Sequence, residues 1–243
     1  MEFTNKSLIN KTAKLSLGAQ IITGIIDVIA LRIDIPKELS ILKQLLFLEL
    51  VVQIIEGIFY IWLVKSFHTV NNITKFRYYD WSLSTPIMLF TLICYIVHLQ
   101  EPTKTLKEIY IENKFVINKV IVLNYMMLYL GYLGEINKID TKTSVYLGFI
   151  PFITYYIIIY DKYIKDIDSK LKGLDLLKDE SKKKEIKLLY YYFLIFWSIY
   201  GIASLLSYTN KNIMYNILDL FSKNFFGIFL SYTVYKNRIK NSV

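Results

Sequence analysis

The sequence predicts an all-α protein, a bundle of seven transmembrane helices. Hydrophobic residues make up 54% of its 243 residues and aromatic residues 16%, which is too apolar for an ordinary soluble domain. Seven stretches have, or nearly have, the roughly 20 apolar residues that a membrane-spanning helix needs. We therefore expect one integral, multi-pass domain over residues 1–243, with the lipid membrane as its surroundings.

The seven predicted spans are separated by short polar connections. In chain order they are spans A to G, at about 15–33, 41–64, 76–98, 115–133, 144–160, 188–207 and 213–235. Polar residues such as Asn118 and Lys119 interrupt span D, and span E is short. The longest segment outside the spans is a charged linker at 161–187.

The basic residues predict how the bundle is oriented. If the N-terminus lies outside, 19 of the 29 lysine and arginine residues fall on the inner side, nine on the outer side and one within a span. An excess of positive charge marks cytoplasmic segments, so we expect the N-terminus outside and the C-terminus in the cytoplasm. The net charge of +9 thus indicates how the protein is oriented in the membrane. Nucleic-acid binding is not expected, because the lysines of the linker alternate with acidic residues.

Cysteine and histidine are scarce. Cys94 is the single cysteine, which excludes internal disulfides and thiolate metal clusters. The two histidines, His68 and His98, are expected near water at helix ends. We therefore predict neither a metal site nor an enzyme active site.

Spans A and B each carry a line of polar residues. On span B, Glu49, Gln53 and Glu56 follow the spacing i, i+4, i+7 and share one helical face. Similar spacing on span A places together Ser16, Gln20, Thr23 and Asp27. Such groups inside a membrane face water or protein. They form either a hydrogen-bonded seam between helices or a path for cations, and the number of acids and amides in register favours the path.

Span C begins with FRYYDWSLSTP, which places Arg77, Asp80 and Trp81 close together. Span G contains ILDLFSKNFF, where Asp219 and Lys223 interrupt an apolar run. A charge at the bilayer centre costs roughly 3 kcal/mol on insertion scales, so such residues are rare. Their i, i+4 spacing predicts either a structural ion pair or a lysine that forms an imine with a carbonyl ligand.

Spans D and F add a third set of residues. Asn124, Met127 and Gly131 follow one another on span D, and WSIY places Trp197 and Tyr200 on span F. Together with R-Y-x-D-W-x-x-S/T-T-P on the third span and D-x-x-x-K on the seventh, this order resembles the microbial rhodopsins over all seven spans.

The resemblance implies a cofactor and its site. All-trans retinal is expected as a protonated Schiff base on Lys223, with Asp80 and Asp219 as counterions and Arg77 keeping them ionised. Further retinal contacts are expected from Trp81, Thr85, Asn124, Met127, Gly131, Trp197 and Tyr200. Where the family usually has proline and tryptophan on span F, this sequence has Gly201 and Ser204, so a roomier pocket is expected.

The spacing E-x-x-x-x-x-x-E on span B and the sequence DLFSKN on span G resemble the channelrhodopsins, and still more the channel-like rhodopsins of large algal-infecting viruses. This implies a light-gated cation channel that opens between helices A, B, C and G. Its ion path is expected to contain Glu49 and Asn224 at a constriction with Ser16 or Gln20, and to include Gln53 and Glu56. Thr85 and Asn124 occupy the positions of a pair that controls closing.

Two other functions stay open at this point. One is a light-driven outward proton pump, expected to be slow because Thr91 stands where a pump has a carboxylate donor. The other is a sensory photoreceptor. The expected partners are retinal, lipid and transported cations, and a homo-oligomer is compatible with the resemblance because membrane rhodopsins often form trimers or pentamers. A viral protein of this class would lie in a host cell membrane.

Overall fold

The computed structural model describes residues 2–67, 69–167 and 176–239, and within them it is all-α without a strand. The helices are α1 Glu2–Leu31, α2 Ser40–Ser66, α3 Thr74–Gln100, α4 Leu106–Glu135, α5 Thr141–Ile159, α6 Leu176–Ala203, α7 Tyr208–Asp219 and α8 Phe225–Lys236. A π-helical turn, Leu220–Asn224, joins α7 and α8 into one continuous rod. The bundle therefore has seven rods, which confirms the predicted fold class.

Six of the rods are long and apolar enough to cross a membrane by length and composition. The seventh consists of two helices of 12 residues each on either side of the π turn, and neither part alone reaches the length of a span.

Several helices extend beyond the predicted apolar spans, because a helix continues into its polar flanks. The predicted linker is partly helical, since α6 begins at Leu176, while its residues 168–175 lie outside the described residues. Span F, in contrast, was predicted to extend beyond the end of its helix. Leu205 and Leu206 lie in the connection after α6, which ends at Ala203.

Local chemistry sets the ends of α4 and α5. Thr105 caps α4 in a capping box with Glu108, which satisfies two backbone N–H groups at that helix start. Asn137, with a φ of 57°, follows the end of α4 in the left-handed conformation that asparagine tolerates. Asp140 then accepts hydrogen bonds from the first N–H groups of α5.

Consecutive rods are antiparallel neighbours, so the connections gather at two opposite faces. The N-terminal face carries the α2–α3, α4–α5 and α6–α7 connections, and Asn212 of α7 donates there to Thr74 Oγ1 of α3 at 3.0 Å. The C-terminal face carries the α1–α2 and α3–α4 connections, and Ile239 N donates there to Asp34 O at 2.8 Å. The prediction that the N-terminal face lies outside stays a prediction.

The expectation for the histidines is wrong for His98. Although it lies in the last turn of α3, only 3% of its surface is exposed. Lys182 of α6 is an electrostatic neighbour of this imidazole, so the end of α3 is covered where the sequence suggested water. His68 lies outside the described residues.

Candidate functional site

Lys223 lies in the π turn at the centre of the bundle and is surrounded by carboxylates. Its Nζ is 2.6 Å from Asp80 Oδ2 on α3, 3.3 Å from Glu56 Oε1 on α2 and 3.7 Å from Asp219 Oδ1 on α7. All four side chains are at most 3% exposed. The structure thus brings both predicted counterions, Asp80 and Asp219, to the lysine and adds Glu56, which had been assigned to the ion path alone.

A hydrogen-bonded network closes this cluster toward the N-terminal face. Arg77 Nη1 lies 3.4 Å from Asp219 Oδ2, and the Tyr60 hydroxyl donates to the same oxygen at 2.6 Å. Arg77 also donates to the side-chain oxygens of Asn212 and Asn216 on α7. A fully buried guanidinium needs such partners, so Arg77 and Asp219 form one charge-compensated unit.

The sequence reasoning missed Tyr60, Asn212 and Asn216. A signal for Tyr60 was present, since it follows Glu56 by four residues on the polar face of span B. Asn216 lies three residues before Asp219 on the same helix, so the spacing also indicated that the two residues share one helical face.

The π turn changes what the seventh rod offers at the lysine. A π turn loosens the regular i→i−4 pairing, and such turns occur often at functional sites. Here Gln53 Nε2 on α2 donates to the backbone carbonyl of Lys223 at 3.2 Å. A side chain of the predicted polar face therefore holds the main chain at the lysine.

An internal cavity leads away from Lys223 toward the C-terminal end of α4 and the N-terminal end of α5. Seven of the residues predicted to contact retinal line it: Trp81, Thr85, Met127, Gly131, Trp197, Tyr200 and Lys223. The eighth, Asn124, donates through Nδ2 to Thr85 Oγ1 at 2.8 Å and so supports the wall. The predicted pair of α3 and α4 is therefore in contact.

Aromatic rings shape the middle of the cavity. The Trp81 ring packs edge-on against Tyr200 and Tyr215, with centroid distances of 5.6 and 5.1 Å. Tyr200 also donates to Asp219 Oδ1 at 2.7 Å, which ties the wall to the carboxylates at Lys223. Gly201 and Ser204 line the cavity, but a Cβ at Gly201 would come within 2.8 Å of the Phe149 ring, so Phe149 fills part of the space expected to be open.

This donor set fits an elongated apolar aldehyde. A primary amine lies at one end of a cavity with aromatic and small apolar walls, and anions stand beside the amine to hold a positive charge on its nitrogen. Those are the requirements for covalent retinal attachment at Lys223 Nζ.

Successive turns of α1 contact successive turns of the seventh rod through polar side chains. Ser16 Oγ donates to Asn216 O at 2.7 Å, and Gln20 Nε2 donates to Asn224 Oδ1 at 2.7 Å. Asn224 Nδ2 in turn donates to Thr23 Oγ1 at 2.8 Å. Of the two residues predicted as alternatives on span A, Gln20 is the one that contacts Asn224.

The line of polar residues continues toward the C-terminal face. Ser231 Oγ donates to Asp27 Oδ1 at 2.7 Å. Glu49 lies on the same face of α2 as Gln53 and is fully buried. No hydrogen bond joins it to Asn224, and the Thr91 hydroxyl of α3 lies beside it. We use the name polar strip for Ser16, Gln20, Thr23, Asp27, Glu49, Gln53, Asn216, Asn224 and Ser231.

The geometry defines a class of protein: a seven-helix membrane protein with a buried lysine at the end of an internal cavity. The comparisons give the family. The model of the bacteriorhodopsin-like proteins matches residues 12–237, so the chain belongs to that family. Comparison with curated protein sequences finds no match.

Solved structures of microbial rhodopsins have the same fold. The viral rhodopsin OLPVRII is 28% identical with a TM-score of 0.75, covering 94% of this chain and 98% of its own. A thermophilic rhodopsin is 20% identical with a TM-score of 0.74, covering 97% and 96%. Xanthorhodopsin, described as a light-driven ion pump with dual chromophore, is 18% identical with a TM-score of 0.69, covering 96% and 95%.

These findings confirm the predicted resemblance to microbial rhodopsins and the multi-pass membrane location. Membership of the family implies a retinal chromophore and an ion-transporting or photoreceptor role. Whether ions pass through a channel or are pumped is a separate question, and the polar strip bears on it.

Proposed function

We propose that this protein is a light-gated cation channel that carries all-trans retinal on Lys223. Retinal, when bound, supplies the absorption of light and a change of shape beside the lysine nitrogen. Asp80, Asp219 and Glu56 keep a positive charge on that nitrogen in the dark, since each of the three carboxylates has an oxygen within 3.7 Å of it. The polar strip is the route for cations.

One observation carries the choice of a channel over a simple helix seam. Among the described residues, the strip contains buried acceptor oxygens without a hydrogen-bond partner, namely Gln20 Oε1, Asp27 Oδ2 and Gln53 Oε1. A seam that only held helices together would pair such groups, because an unpaired buried acceptor costs about 1–3 kcal/mol. Unpaired oxygens in a line are what water and a passing cation require.

The strip is closed in the dark at both ends. Buried apolar side chains lie beyond it on the C-terminal face, including Ala30, Leu45, Leu46 and Val234. Another apolar cluster lies beyond it on the N-terminal face, including Ile9, Ala13, Phe59 and Leu63. Apolar constrictions exclude water until they widen, so conduction requires a movement of the surrounding helices.

The lysine is coupled to the strip by two contacts. Gln53 holds the Lys223 carbonyl, and Asn224, the next residue, holds Gln20 and Thr23 of α1. When the proton on Lys223 Nζ moves to Asp80, an ion pair at 2.6 Å is lost. The π turn is then held less firmly against α3. Its hydrogen bonds with α1 and α2 are the contacts that rearrange.

A proton pump fits the residues less well. Asp80 is placed to accept a proton, but Thr91, whose hydroxyl lies beside Glu49, stands where a pump has a carboxylate donor. A photoreceptor role shares the chromophore site and predicts no current at all.

Voltage clamp of cells supplied with retinal separates the three functions. A channel gives a photocurrent whose reversal potential follows the Na⁺, K⁺ and H⁺ gradients. An outward current of constant sign would establish a pump instead, and visible absorption without current would establish a sensor. Glu49→Gln should alter the permeability ratios, whereas Glu112→Gln, a change on the exposed face of α4, should not.

The chromophore assignment has its own test. Lys223→Ala should abolish the visible absorption band that retinal addition produces. A band that survives this substitution would show that the lysine is not the attachment point.

A further inference from the structure

Two carboxylates and an amide meet on the C-terminal half of the polar strip, away from the lysine cluster. Asp27 of α1 approaches α8 at Gly227, where a Cβ would come within 2.9 Å of Asp27 Oδ2. Gln53 of α2 reaches the same point, with Nε2 at 3.2 Å from that Cβ position. The missing side chain of Gly227 is what lets Asp27 and Gln53 approach each other.

Glu49 completes the group from one turn below Gln53 on α2. It is fully buried, and Asp27 is among its electrostatic neighbours. The Thr91 hydroxyl of α3 lies beside it, and one hydroxyl can donate to only one of its two carboxylate oxygens. A carboxyl group held in this way beside a second carboxyl is unexplained by helix packing.

The unpaired atoms of the group share one chemistry. Among the described residues, Asp27 Oδ2, Gln53 Oε1 and at least one Glu49 oxygen are acceptors without donors, while Ser231 donates to Asp27 Oδ1. Within the described part of the chain, these side chains have no hydrogen bond or ion pair with a lysine, arginine or histidine side chain, in contrast to the carboxylates around Lys223. Carboxylate and amide oxygens contributed by the neighbouring helices α1 and α2 are the ligand types that a hard cation prefers.

We infer that Asp27, Glu49 and Gln53 form a resting site for a small monovalent cation, with Na⁺ as its best fit. One monovalent cation together with one proton on the two carboxyls neutralises the group, and a cation, unlike a second proton, can bind several of the unpaired oxygens at once. This inference rests on the proposed channel, since the site would lie on the cation route next to the apolar residues Leu45 and Leu46, which close its C-terminal end.

The site is also linked to the chromophore lysine. The Gln53 amide that offers Oε1 to the cation donates through Nε2 to the Lys223 carbonyl. A shift of the π turn therefore moves a ligand of the site, so the closed protein holds the cation and the open protein releases it.

The experiment measures binding in the dark, independently of any current. The purified retinal-bound protein is heated in NaCl or in N-methyl-D-glucamine chloride at equal ionic strength, and the midpoint of bleaching is recorded. A saturable rise in the midpoint with Na⁺ is expected, because a ligand that binds only the folded state stabilises it. The Na⁺ concentration for half the effect should increase at least tenfold in Asp27→Asn.

A second pair of variants tests the same site if Asp27→Asn folds poorly. Gly227→Ala places a methyl group against Asp27 and should weaken the Na⁺ effect to a similar degree. Gly24→Ala is the matched control, since a Cβ there has nothing within 4 Å, and it should behave like the native protein.

The outcomes distinguish this site from the channel. Equal midpoints in the two salts, or a Na⁺ effect that persists in both Asp27→Asn and Gly227→Ala, would overturn the site whatever the photocurrents show. A Na⁺ effect that is lost in both variants supports the site even if illumination gives no current, in which case only the channel proposal fails.

Discussion

Removing the lysine should destabilise the retinal-free protein, and removing Asp80 as well should restore part of the loss. Lys223 Nζ faces carboxylate oxygens at 2.6, 3.3 and 3.7 Å. With an effective dielectric constant of about 20, Coulomb's law gives attractions of about 6, 5 and 4.5 kcal/mol for Asp80, Glu56 and Asp219. Lys223→Ala leaves these anions with Arg77 alone, which lies 3.4 Å from Asp219.

The net loss is smaller than these attractions, because burying the ammonium itself costs free energy. Breaking a buried ion pair by removing one partner typically costs 3–5 kcal/mol. At about 2–4 °C per kcal/mol for a chain of this size, Lys223→Ala should lower the unfolding midpoint by roughly 6–20 °C. The double variant Lys223→Ala/Asp80→Asn removes one anion together with the cation, so it should be more stable than Lys223→Ala.

The assay is thermal unfolding of the retinal-free proteins in one detergent at one pH, with both single variants and the double variant. Lys211→Ala is the control, since its pair with Glu135 lies nearer to water and the loss should be smaller. The reasoning is refuted if the effects of the two single substitutions add to within about 0.5 kcal/mol, since residues in direct contact should couple.

Three further substitutions test other contacts of the site. Asn124→Ala removes the hydrogen bond to Thr85 and should change the rate of current decay after light by roughly fivefold, corresponding to about 1 kcal/mol. Tyr60→Phe removes a donor to a buried carboxylate and should destabilise the protein by about 1.5–3 kcal/mol in thermal unfolding. Gly201→Trp should lower the yield of visible pigment because Phe149 occupies the space, and Phe149→Ala should restore it.

Each of these has a matched comparison. Asn118→Ala alters an exposed asparagine of α4 and should leave the decay rate unchanged. Tyr79→Phe alters a tyrosine that is 62% exposed and should cost less than about 0.5 kcal/mol. If Gly201→Trp forms pigment at the native yield without a change at Phe149, the ring is not the obstacle.

The sequence predicted most of the lysine site because its information is local. The i, i+4 spacing of Asp219 and Lys223 fixes their common face, and the depth of Asp80 on span C follows from its distance to the helix end. The retinal contacts on spans C, D and F are implied by the resemblance to the microbial rhodopsins and stay a prediction.

What was missed depends on how the helices are rotated and shifted against one another. Glu56 was assigned to the ion path, and its 3.3 Å distance to Lys223 follows from the rotation of α2, which packing decides. The choice between Ser16 and Gln20 depends on the vertical register of α1 against the seventh rod. Phe149 fills space beside Gly201 because α5 packs closely there, and no spacing rule encodes that.

The interruption of the seventh rod also bears on how this protein is made. Six rods have the composition to enter a bilayer by themselves, but the last carries Asp219 and Lys223 within its span, each costing about 3 kcal/mol at the centre of a lone helix. These two residues lie 3.7 Å apart on the rod itself, and their other partners lie on α2, α3 and α6, which are synthesised earlier. The final helix should therefore enter the membrane as the partner of an assembled bundle, which makes the chromophore helix the last step of biogenesis.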